Sequence, residues 1–116
     1  MIWLWLSAAF MVTTAGVHSV LGYRRLIVPM LRRREGPLSD ALTRRIIRFA
    51  WHATAVLMLI SAVAVAWPDT PNELRTFVGF AWLATGLVDA VYTRGRHIAW
   101  PALTGAGIFA LVGALA

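Results

Sequence analysis

His18, His52, Asp89 and His97 are the side chains of this sequence with the widest chemical reach. Three imidazoles and a carboxylate form a donor set suited to Zn²⁺, Fe²⁺, Mn²⁺ or Cu²⁺. Two of the histidines, opposed across a helix interface, would also serve as axial ligands of a single haem b. Arranged in file, the same groups would pass protons or ions. A structural alternative stands beside these: histidines at a polar boundary, and Asp89 pinning two helices through Arg94, Arg96 or His97. An acid within a membrane costs about 2.5–3.5 kcal/mol on insertion scales, so Asp89 needs a partner in every version. The sequence has no cysteine, which excludes disulfide and thiolate chemistry. It also lacks a phosphate-binding glycine loop, a Ser-His-Asp order and any nucleic-acid motif.

The elements that carry these residues are apolar. The chain is 59% hydrophobic and 14% charged, against roughly 25% charged residues in soluble domains. Its apolar segments cover about 2–21, 46–67, 75–92 and 97–116. Each is near the ~20 residues that cross a ~30 Å hydrocarbon layer. Lipid offers no partner to a free backbone N–H, so spans of this kind are helices. The expected fold is all-α: one integral membrane four-helix bundle over 1–116, with an interfacial basic loop at 22–45.

Charge then orients it. All 11 basic residues are arginine, and only Arg75 lies in the connection between spans 2 and 3. The rest fall in the 1–2 connection and its flank, or at Arg94 and Arg96. The positive-inside rule therefore puts the basic 1–2 loop in the cytoplasm and both termini outside. Trp3, Trp5 and Trp67 would mark the outer interface, and Tyr23, Trp51, Tyr92 and Trp100 the inner one. The first apolar run has no basic residue before it and no small-residue cleavage site, so it reads as an uncleaved span.

With that topology, the four candidate ligands approach one layer near the cytoplasmic face. His18 lies ~9 Å deeper than Arg24, His52 ~6 Å deeper than Arg48, and Asp89 ~7.5 Å deeper than Arg94. His97 is shallower. Ser7, Met11, Thr14 and His18 share one helical face, as do Trp82, Thr85, Asp89 and Tyr92. Thr14, Thr85 and Tyr92 are thus the expected neighbours that would orient the ligands. Helix contact should use small residues, with Ala8, Ala15, Ala81, Thr85, Ala102, Gly105 and Ala106 as candidates.

The 1–2 connection alternates arginines with Leu26, Ile27, Val28, Met30 and Leu31, a pattern for lying in the interface. Arg24, Arg25, Arg32, Arg33, Arg34, Arg44, Arg45 and Arg48 are the expected contacts to anionic lipid headgroups. Pro29 and Pro37 should interrupt any continuous helix. Ser39 as N-cap and Asp40 in the first turn should start the next one near residue 40.

The stretches "GVHSVLGYRRLIVPMLRR" and "RFAWHATAV" resemble an uncharacterised family of small four-span bacterial inner-membrane proteins. The resemblance covers most of the chain, implies the fold and a bacterial inner-membrane location, and carries no activity. Small multidrug transporters differ, because the first span here has no acid. Cytochrome b561-like proteins place histidines at both membrane faces, whereas all three here lie at one. The functional expectation is transition-metal or single-haem binding through His18, His52, Asp89 and His97. The alternatives are a non-enzymatic accessory subunit of a larger membrane complex, and a proton or ion pathway. A homo-oligomer or partner subunit is expected, a nucleic-acid partner is not, and a non-enzymatic role is favoured.

Overall fold

The computed structural model describes residues 1–116 and is entirely helical. Four helices carry it: α1 (Ile2–Arg32), α2 (Ala41–Ala66), α3 (Asn72–Tyr92) and α4 (Trp100–Leu115). The first three are long and apolar enough to cross a membrane. At 16 residues, α4 is apolar but shorter, about 24 Å by helical rise. It begins at Trp100, not at residue 97, because Pro101 sets the first turn and His97 remains in the preceding connection.

Pro29 does not break α1, contrary to the expectation from its ring. Residues Val17–Ile27 are wound as a π-helix, an uncommon form at this length. Its bonds reach one residue farther back, as when the Val28 N–H donates to the Tyr23 carbonyl. A proline in a regular α-helix collides with the carbonyl four residues earlier. The wider turns just before Pro29 give its ring room, and the helix continues to Arg32. Pro37 behaves as expected and sits in a short 3₁₀ turn, Gly36–Ser39.

The helix start at α2 is displaced by one residue from expectation. Asp40 is itself the N-cap, accepting from both the backbone N–H and the hydroxyl of Thr43. Ser39 instead donates to the Gly36 carbonyl and closes the 3₁₀ turn. These paired bonds hold the Asp40 carboxyl below its ordinary pKa, the Thr43 hydroxyl contributing most.

α1 packs against both α2 and α4, and α3 packs along α4. The shared core is small: Leu4, Ala8 and Met11 of α1, Ala62 and Val65 of α2, Trp82 of α3, and Ala106 and Ala110 of α4. Only 19 of 116 residues are buried, while Phe49, Leu57, Phe77 and Val91 stand exposed. That distribution suits a protein whose apolar surface is met by lipid, and is compatible with a membrane protein.

α2 and α3 touch little along their length, although a short turn joins them. Arg75 secures that turn. Its guanidinium is buried and donates to the Val65, Trp67 and Pro68 carbonyls and to Asn72 Oδ1. The last carbonyls of α2 have no intrahelical N–H partners, so a cation there satisfies them and opposes the helix dipole.

Candidate functional site

Two polar centres occupy the end of the molecule carrying the basic residues. The first lies between α1 and α2, where the π-helical stretch of α1 meets the first half of α2. His18 stacks on Trp51, with ring centroids 3.9 Å apart and planes 14° from parallel. His18 Nε2 donates to the Trp51 carbonyl at 2.9 Å, and Trp51 Nε1 donates to the His18 carbonyl at 2.8 Å. A carbonyl only accepts, so His18 carries its proton on Nε2. One position further along both helices, Ser19 Oγ lies 2.7 Å from His52 Nδ1. Tyr23 covers the His52 ring at a 4.7 Å centroid distance, and its hydroxyl accepts from Arg48 Nε at 3.0 Å.

The second centre lies between α3 and the connection to α4. Asp89 Oδ2 pairs with His97 Nδ1 at 2.7 Å. Thr93 donates from its hydroxyl to the Asp89 carbonyl and accepts from the His97 backbone N–H. The Asp89 side chain is 17% exposed and that of His97 54%, so the acid is sheltered and its partner faces outward. This is the chain's single ion pair.

The four candidate ligands are therefore brought together as pairs on two interfaces. His97 and Asp89 meet, while His18 and His52 share the α1–α2 interface but bond to Trp51 and Ser19. No three His, Asp or Glu side chains gather into a group able to hold a metal ion. The His18 ring face is covered by Trp51, and Nε2 is spent on a carbonyl.

The expected orienting residues also lie elsewhere. Thr14 and Thr85 donate to Phe10 and Ala81, the carbonyls four residues back in their own helices. Tyr92 is 88% exposed. The buried face of α3 is Arg75, Gly79, Trp82 and Gly86, which turns Thr85 and Tyr92 away from the contact. The neighbours that do engage are Ser19, Trp51, Tyr23 and Thr93. A serine adjacent to His18 was the available signal for one of them. The Trp51–His18 pairing had none, because it depends on the relative rotation of two helices.

Two cavities adjoin the first centre. A pocket of about 400 Å³ is lined by Tyr23, Arg32, Arg34, Arg44 and Arg48, with Val28 and Leu31 as its apolar wall. A groove of about 700 Å³ follows one stripe of α2, through Arg45, Arg48, Phe49, His52, Ala53, Val56 and Leu57. Compared with known proteins, the chain matches no family model, no curated sequence and no solved structure.

Proposed function

We propose that this chain is a small four-span protein of a bacterial inner membrane, with both ends outside. In this reading it serves as a non-enzymatic accessory subunit, and its histidines and Asp89 hold helix to helix. The observation that carries it is the commitment of each candidate ligand to a partner in the same chain: His18 to Trp51, His52 to Ser19, Asp89 to His97. Polar residues used this way are the glue of membrane helices, worth about 0.6–2 kcal/mol per bond. The exposed apolar sides of α2 and α3 would face lipid or a partner.

The competing reading is transition-metal or haem binding. It draws on the closeness of the 18–51 and 19–52 pairs, and would require His18 and His52 to exchange their partners for a metal. Elemental analysis and a visible spectrum of the purified protein separate the two readings. Substoichiometric metal and a featureless visible spectrum are expected. One zinc, iron, manganese or copper per chain, lost on His52→Ala, would overturn the accessory reading in favour of the metal.

A further inference from the structure

Arg48 stands where the two cavities meet, since it lines both. The smaller one is lined by four arginines, Arg32, Arg34, Arg44 and Arg48, with no acid among its lining residues. No arginine in the chain is paired with a carboxylate, because the only ion pair is Asp89–His97. The pocket thus concentrates uncompensated positive charge. Like charges held this close repel unless an anion joins them.

Its geometry is held from the protein side. Tyr23 accepts from Arg48 Nε, which leaves both terminal nitrogens of Arg48 free. Arg44 Nη1 is anchored on the Leu38 and Ser39 carbonyls. Arg34 has φ 51°, a left-handed backbone that non-glycine residues adopt at a cost of roughly 1–2 kcal/mol. Guanidinium forks only donate, and their planar geometry matches the oxygens of a phosphate.

The larger of the two is a shallow, open stripe on the exposed face of α2 that shares Arg48 with this pocket. From Arg48 to Leu57 the stripe along α2 runs about 13 Å, close to half of a ~30 Å hydrocarbon core. Phe49, Ala53, Val56 and Leu57 form its apolar part beside His52, and no arginine or carboxylate lies beyond Arg48 along it. We propose that the joined cavities hold one anionic phospholipid: its phosphate among Arg32, Arg34, Arg44 and Arg48, an acyl chain along the α2 groove. A free phosphate would use only the polar pocket. The groove that starts at the same arginine selects the lipid.

The proposal rests on the membrane reading above, and the test keeps the two apart. The full chain is placed in nanodiscs of phosphatidylcholine with a minor share of phosphatidylglycerol, and retained lipid is counted by native mass spectrometry. One phosphatidylglycerol per chain is expected. Replacing Arg32, Arg34 and Arg44 by glutamine should lower its retention at least about tenfold, since each charge-assisted bond contributes appreciably. Replacing Arg94 and Arg96 by glutamine removes charge at the same end of the molecule, outside the pocket and outside the α1–α2 connection, and should leave retention within about twofold. Ala53→Phe, which fills the groove and keeps every charge, should also release the lipid, and it decides the matter if the pocket triple does not insert. Inorganic phosphate, matched against chloride at equal ionic strength, should not displace the lipid.

Equal losses from the pocket set and the control set would mean general attraction to a basic surface, and the proposal would fall. Displacement by inorganic phosphate, with Ala53→Phe without effect, would assign the pocket to a soluble anion and overturn it as well. A chain that does not enter the discs fails the membrane reading itself, and the lipid site with it.

Discussion

At the scale of single residues, the His18–Trp51 pair joins α1 to α2 by two hydrogen bonds and a stack. Trp51→Phe keeps an aromatic face over His18 but removes the N–H that reaches its carbonyl. It should destabilise the protein by about 1 kcal/mol, read from unfolding in mixed detergent micelles. No measurable change would mean that the His18 carbonyl finds another donor. Asp40 supplies a pH-dependent case. Its folded pKa is depressed by the Thr43 bonds, so its contribution is present above the ordinary aspartate range, about 3.9. It is lost as pH falls through the lower folded value. Exchange of the Thr43 amide with solvent should therefore accelerate only in strong acid. Asp40→Asn, which keeps an acceptor, should remove that acid dependence, whereas Asp40→Ala should expose the amide at every pH.

Among the helices, the closest approach is between α3 and α4, and glycine allows it. A Cβ at Gly107 would lie 2.7 Å from both the Gly79 carbonyl oxygen and Leu83 Cα, closer than any real contact. Gly107→Leu should force the two helices apart at a cost of about 1–3 kcal/mol, the usual penalty of overpacking. Unfolding in mixed detergent micelles would report the separation as a loss of stability. Unchanged stability would show that α3 and α4 do not depend on this approach. Ala81 and Thr85, expected on this face as small residues, are both exposed. Gly79 and Gly86 of α3, a heptad apart, and Gly107 of α4 set the contact, because a side chain at any of them would hold the backbones apart.

Taken whole, the molecule is extended, 51 × 31 × 19 Å, with α2 and α3 in little contact. Its arginines collect at one end and its Arg75 turn at the other. A reporter fused at Ala116 should be active only outside the cytoplasm, and one inserted near Gly36 only inside. The opposite result would invert the topology and move the arginine pocket to the outer leaflet. The length of α4, 16 residues, sets a second constraint on this picture. If α4 crosses a membrane, as the four-span reading requires, it would do so by local thinning of the bilayer or by adding the connection before it.

Sequence by itself determined the helical class, three of the four helices as long apolar elements, and the gathering of arginine at the α1–α2 connection. These follow from composition and length, which do not depend on how helices are turned against one another. The start of α2 was legible to within one residue, because capping is a local hydrogen bond. What the tertiary structure decided is every pairing across helices: His18 with Trp51, His52 with Ser19, the four arginines around one pocket. The reason is geometric. Adjacent helical positions differ by about 100° around the axis, so a small change of rotation replaces one facing residue by its neighbour. The π-helical turns of Val17–Ile27 alter that rotation in mid-helix. They carry α1 past Pro29, and no 4-3-4 pattern counted from Ser7 could have foreseen where His18 would point.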